Sequence, residues 1–469
     1  MKHFILLTLL AGLMQGGSAE VFDPQRQLVS RGVQAVLACN GLFTSNRPAE
    51  AVERQELAYL RAGPEPYRVD EALRLVSVGD PATGPLGRAA YRPGIGCVVM
   101  HPDQSVEEID DLPRRAEVQG PESTADLLWP IGDRVGEIAP PDDVDAGQLR
   151  AASDWAFERP GEDNASEQNT LSLLIVHRGR IIHERYADGV DRETRTRTWS
   201  TAKSLAVTLI GMLIDDGRMQ LDAPLPIDWL PERAGNTGED PRMAITLRNV
   251  LQMSSGLYPV DSWGREYVTG SGLSYWAGES SADGARDRGL IRKPGTHWDY
   301  ENYDTLLAVY AMKKVLGDEA YANFPRDRLF DPLGMRTTVA STDRFGDFIL
   351  SSQVYSNARD LARFGLLYLQ RGSWNGERLL SEEWIDFVRT PAAASHTIDF
   401  AYGGHFWLVP SSRDDVPADA YSTSGNRGQF VIIDPSHDLV IVRRGLDYGR
   451  QGFDRWDLLR EVLKAFPSD

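Results

Sequence analysis

The sequence predicts an α+β protein: one antiparallel β-sheet flanked by helices, an inserted α-helical subdomain, and an additional N-terminal region. Three observations predict it. Apolar, β-branched runs at 171–176 and 181–186, separated by His177-Arg178-Gly179-Arg180, read as a β-hairpin. Four short strand-like segments, 405–409, 420–424, 429–433 and 439–443, gather near the other end of the chain. Between them, residues 205–335 read as helical stretches broken by glycine-rich loops. Strands at both ends of a helical middle bury their apolar faces if they pair with one another across it.

The elements follow in order. Residues 1–19 read as a signal peptide, with Lys2 and His3 ahead of the apolar run 4–13 and Gly17-Ser18-Ala19 as a small-residue cleavage site. That run is too short to cross a bilayer as a helix, so the expectation is a periplasmic or secreted protein with no membrane span. Residues 20–140 form an N-terminal region of open fold, helical at 22–37 and 56–60 and strand-like at 73–78 and 89–100. Ala139-Pro140-Pro141-Asp142-Asp143 breaks regular structure and reads as a linker into a domain at 141–469. Its first helix, 144–157, has Asp143 as the expected cap. After the hairpin, 197–200 turns into a helix that ends at Gly217; 260–288 reads as loop; a helix at 453–466 closes the chain.

The chain carries two cysteines, Cys39 and Cys97. In an exported protein an isolated pair is expected to form a disulfide. No further ligand cluster accompanies them and the histidines lack metal spacing, so no metal and no cofactor are expected. The net charge of -18, about -19 once the leader is removed, disfavours nucleic acid and anionic membrane as partners. Gly-x-Ser-x-Gly and Gly-x4-Gly-Lys are both missing, which argues against an α/β-hydrolase elbow and a phosphate loop.

Chemistry concentrates in three boxes. Ser200 and Lys203 lie three apart at the start of an apolar helix, so both share one face. A nearby amine turns a serine hydroxyl, a weak nucleophile, into a good one. Tyr300-Glu301-Asn302 follows Pro294-Gly295, and Gly425-Asn426-Arg427-Gly428-Gln429 leads into the strand-like Phe430-Val431-Ile432-Ile433. In this order the boxes resemble the penicilloyl-serine hydrolases: class C β-lactamases, D-alanyl peptidases, related esterases and 6-aminohexanoate-oligomer amidases. The connecting stretches 199–205, 245–257, 331–335 and 357–366 resemble that family too, and the likeness runs from about residue 144 to the C-terminus.

The resemblance implies the same α+β architecture and an acyl-enzyme on Ser200, with Lys203 as base and Tyr300 as proton relay. It also implies substrate or network contacts from Asn302, and an oxyanion site built from the backbone N–H groups of Ser200 and Gln429. The third box departs from the family, which begins it with lysine or histidine where this chain has Asn426. Arg427 is the neighbouring cation, although adjacent strand residues face opposite sides. With Gly428, these residues complete the candidate binding set. The function so read is an exported serine hydrolase cleaving a small-molecule ester or amide. The alternative is a catalytically inactive binding or scaffold protein on the same fold.

Overall fold

A computed structural model describes residues 24–60, 63–115, 126–159, 167–231, 240–261, 270–397, 401–448 and 452–467. The expected signal peptide, 1–19, lies outside them. Helix α1 (24–39) opens the N-terminal region. A four-stranded antiparallel sheet follows, in the order β1 (Tyr67–Asp70), β2 (Leu75–Val78), β3 (Gly87–Arg92), β4 (Gly96–Met100). The single strand-like stretch expected at 89–100 is thus two strands of a hairpin, because Pro93-Gly94 turns the chain. A disulfide joins Cys39, at the end of α1, to Cys97 in β4.

Helix α2 (Ala146–Glu158) is capped by Asp145, not by Asp143 as expected. The Asp145 carboxylate accepts the Gly147 and Gln148 N–H groups, which from two residues further back Asp143 does not reach. The hairpin β5 (Thr170–His177) and β6 (Arg180–Tyr186) leads to α3 (Thr201–Asp215). Then come α4 (Leu247–Leu251), α5 (Gly272–Trp276), α6 (Ser281–Arg286), α7 (Asn302–Leu316), α8 (Ala358–Leu369) and α9 (Glu382–Arg389). Among the described residues, the stretch read as loop at 260–288 carries α5 and α6. Serine and glycine there cap and start short helices, with Ser280 accepting the Asp283 N–H.

The last strands are β7 (Ala401–Tyr402), β8 (Trp407–Leu408), β9 (Tyr421–Gly425), β10 (Gln429–Asp434) and β11 (Leu439–Gly445), followed by α10 (Arg455–Leu463). They form a seven-stranded antiparallel sheet in the order β7-β8-β9-β10-β11-β5-β6. Leu439 is paired with His177 and Val442 with Leu174, so a strand from the second third of the chain lies beside one from the last third. Alternation sorts the side chains of these strands to two buried faces. Leu174, Val176, Val431, Ile433, Val440 and Val442 face α3 and α8. Leu173, Ile175, Phe430, Ile432 and Ile441 face α2 and α10. Residues of α1, β2, β3 and β4 join the first of these cores, so the N-terminal region packs onto the part of the chain that carries the seven-stranded sheet.

Candidate active site

Helix α3 is buried along almost its whole length, and its N-terminus opens into a cavity of about 600 Å³. Trp199, just before it, takes a left-handed φ of 50°, so the chain enters the helix by a sharp turn. Ser200 holds the N-cap position without using its side chain as a cap, which leaves the hydroxyl for other work. One turn on, the Lys203 amine donates to Ser200 Oγ at 3.3 Å, Asn302 Oδ1 at 2.6 Å and the Ser351 carbonyl at 2.8 Å.

Lys203 is 1% exposed. Burial pulls its pKa down to about 7, helped by the Arg197 guanidinium and opposed by the Asp261 and Glu301 carboxylates. Tyr300 behaves oppositely. Burial pushes its phenol up to about 12, while a hydrogen bond to Ser200 offsets part of that rise. At neutral pH the amine therefore exchanges its proton readily and the phenol keeps its own. The Tyr300 ring is set in a cluster with Met253, Trp298, Tyr402 and Trp407, and its centroid lies 5.0 Å from Lys203 Nζ.

Asn302 begins α7. Its Nδ2 donates to Ser271 Oγ at 3.0 Å, and Ser271 Oγ donates to Asp261 Oδ1 at 3.0 Å. The Asn302 N–H reaches the other Asp261 oxygen at 3.2 Å. With its amide nitrogen engaged, Asn302 presents Oδ1 to the lysine. Sequence reasoning found Asn302 but missed Asp261, Ser271 and Ser351. The first two fall in the stretch read as loop, and Ser351 acts on the lysine through its backbone carbonyl, which no side-chain pattern announces.

The third box differs from expectation. Ser424, Gly425 and Asn426 line the cavity, with Trp199, Ser200, Asp261, Tyr275, Trp276, Tyr300, Asn302, Ser352 and Trp407. Gly425 is required there: a Cβ on it would sit 2.1 Å from the Thr198 carbonyl, so β9 runs against the chain that delivers Ser200. Arg427, Gly428 and Gln429 are not among the cavity's lining residues. Arg427 takes a left-handed φ of 61° at the turn, and its fully buried guanidinium pairs with Glu56 Oε2 at 3.0 Å. It is spoken for and does not replace the family's lysine. The Gln429 side chain turns to the back of the strand, where Oε1 accepts from Arg444 Nε at 2.7 Å and Nε2 donates to the Arg427 carbonyl at 3.2 Å.

The cation beside the box comes from elsewhere. Arg455, the first residue of α10, donates from Nη1 to Ser424 Oγ at 3.2 Å and lies 5.2 Å from the Trp407 ring. Burial lowers its pKa to about 10, with Asp454 and Tyr300 opposing, so it stays charged at neutral pH. No sequence signal marked it, because its position follows from how α10 crosses the sheet.

A model of the beta-lactamase family matches residues 162–445. The chain belongs to the beta-lactamase family. The 6-aminohexanoate-dimer hydrolase of Paenarthrobacter ureafaciens is 25% identical over 297 residues, covering 60% of this chain and 74% of that enzyme. A penicillin-binding protein homologue from Caulobacter crescentus superposes with a TM-score of 0.53 at 16% identity, over 70% of this chain and 98% of its own. A family VIII carboxylesterase does so with a TM-score of 0.53 at 16% identity, over 71% and 99%. The fold is that of the beta-lactamase family and its penicillin-binding and esterase neighbours, and the family is one of hydrolases. Residues 24–115 and Arg455 fall outside the matched segment.

Proposed function

We propose that this protein is a serine hydrolase that cleaves an ester or amide through an acyl-enzyme on Ser200. The observation that carries the reading is the buried Lys203 amine, with a pKa of about 7, within hydrogen-bond reach of the Ser200 hydroxyl. Neutral Lys203 takes the Ser200 proton as Oγ bonds to the acyl carbon. As the tetrahedral intermediate collapses, Tyr300 gives its proton to the leaving alcohol or amine and is reprotonated from Lys203. Water then attacks the acyl carbon, the same groups accept its proton, and Ser200 recovers its own. Asn302 and the Ser351 carbonyl hold the amine in place through the cycle.

The intermediate's oxyanion needs donors. The backbone N–H of Ser200, at the positive end of the α3 dipole, is one. That of Asn426 is the second and takes the role the resemblance gave to Gln429, since Asn426 borders the cavity and Gln429 does not. Five aromatic side chains in the lining, Trp199, Tyr275, Trp276, Tyr300 and Trp407, suit an apolar acyl or leaving group. Arg455 stands behind the lining residues Ser424 and Trp407, and its charge favours a carboxylate on the substrate. A linear ester or short amide with those features is the substrate class, in keeping with the 6-aminohexanoate-dimer hydrolase among its relatives. The leader-like pattern of residues 1–19 and the disulfide support export to an oxidising compartment.

The test is acylation. A fluorophosphonate should add its mass to Ser200 of the wild type and not to Ser200→Ala, and a panel of chromogenic esters, aminohexanoate oligomers and β-lactams then ranks the substrates. An unlabelled wild-type Ser200 with no turnover on the panel would leave the binding or scaffold reading in its place.

A further inference from the structure

The segment Gln55–Tyr59 lies outside the matched family segment, yet it touches both sides of the oxyanion site. The Tyr59 ring packs against Trp199, the residue before the nucleophile, with centroids 5.5 Å apart. Its hydroxyl accepts from Asn426 Nδ2 at 3.3 Å. Asn426 Oδ1 meanwhile accepts the Arg427 N–H at 2.9 Å, so the exposed Asn426 side chain is held at both ends.

The next residue is held more firmly. Arg427 donates to Glu56 Oε2 at 3.0 Å, and to the carbonyls of Gln55 at 2.8 Å, Asp447 at 3.1 Å and Leu446 at 3.2 Å. Glu56 Oε1 accepts from Arg47 at 2.9 Å, which leaves one carboxylate bridging two guanidinium groups. A hairpin turn at a sheet end is ordinarily among the more mobile parts of a fold. An oxyanion donor, by contrast, works only if fixed before the charge develops. Burying an ion pair at a turn is a poor way to gain stability, because desolvation offsets the attraction. It does fix geometry.

We propose that Gln55–Tyr59 is a clamp on the Gly425–Gly428 turn, and that Tyr59 is a positioning residue that sets the Asn426 N–H toward the substrate oxyanion. The inference rests on the acyl-enzyme reading above. It gives the N-terminal region a part in the chemistry that is performed by the rest of the chain.

The experiment compares Tyr59→Phe, which keeps the ring and loses the hydroxyl, with Tyr59→Ala, which loses both, and with Arg427→Lys, which keeps charge but loses the fork. Each is measured for kcat, KM, rate of Ser200 labelling by fluorophosphonate, and Tm. Interactions made only in the transition state lower kcat and leave KM alone. The expected result is a kcat lower by about threefold for Tyr59→Phe and about 30-fold or more for Tyr59→Ala, within the loss for one oxyanion donor. KM should stay within about twofold and the Tm of Tyr59→Phe at the wild-type value. Wild-type kcat and labelling rate in both Tyr59 variants would overturn the clamp, as would a lower Tm with unchanged kcat, which marks a purely structural brace. Failure of the wild type itself to be labelled or to turn over any ester would instead overturn the acyl-enzyme reading.

Discussion

The protonation of Lys203 should govern the rate. An ordinary lysine with a pKa of 10.5 is neutral in about one molecule in 3,000 at pH 7, whereas one at about 7 is neutral in half. Burial thus raises the population of competent base by roughly 10³-fold. On an uncharged ester, kcat/KM should rise with unit slope from pH 5, bend near 7 and level off by about 8, with a total gain of about 100-fold between pH 5 and the plateau. Asp261→Asn sharpens the test. The Asp261 carboxylate favours the charged amine, so its loss should move the bend to lower pH. For an interaction of about 1–2 kcal/mol at an effective dielectric near 20, that shift is about one unit. Asparagine keeps the oxygen that accepts from Ser271 and gives up the one that accepts the Asn302 N–H, so the variant removes the charge together with one hydrogen bond. The same pKa makes the buried amine a stability cost, full below pH 7 and gone above 10.5, because between those values only the unfolded chain holds the extra proton. A flat profile from pH 5 to 8, or a bend near 10, would refute the assignment of Lys203 as the base.

Three further outcomes are expected. Tyr300→Phe should retain labelling of Ser200 by a fluorophosphonate, whose fluoride leaves without a proton, yet slow turnover of alkyl esters by about 100-fold; equal losses on both would place Tyr300 elsewhere in the cycle. Arg455→Gln should weaken esters bearing a carboxylate by about tenfold and leave neutral esters within about twofold, as expected for the loss of a charge behind the pocket wall; a uniform loss would count against recognition by that charge. Reducing Cys39–Cys97, which closes a loop of separation 58, should lower stability by up to about 4 kcal/mol in the chain-entropy model, seen as a fall in Tm with dithiothreitol. Two thiols titrating in the native, unreduced protein would show the bond is not formed.

Much of the site could be read in the sequence because its parts obey local rules. Ser200 and Lys203 share a helix face at i and i+3, and Tyr300 and Asn302 flank the start of another helix, so spacing alone carries their geometry. The third box resisted because Gly425 and Gly428 bracket a turn, and a turn reverses which neighbours face the cavity. The residues on its near side, Ser424 to Asn426, border Ser200, while Arg427 and Gln429 point back into the protein. Arg455 and Tyr59 were illegible for a different reason. They reach the site only through the crossing of α10 over the sheet and the docking of the N-terminal region, and neither crossing leaves a local pattern.

The pairing of β11 with β5 has a consequence for when the site is assembled. Leu439 must find His177 before β5 and β6 join the C-terminal strands, and Arg455 arrives beside Ser424 only with the last helix. Contacts so distant along the chain form late and slowly, since a long loop has to close before they reward it. A chain still emerging from the ribosome, with its C-terminal strands unmade, has Ser200 and Lys203 on a helix but no wall opposite them. A truncation just before residue 429 spares every residue that lines the pocket but removes β10, β11 and α10 together, and with them the strands that join β9 to β5 and hold Ser424–Asn426 opposite Ser200.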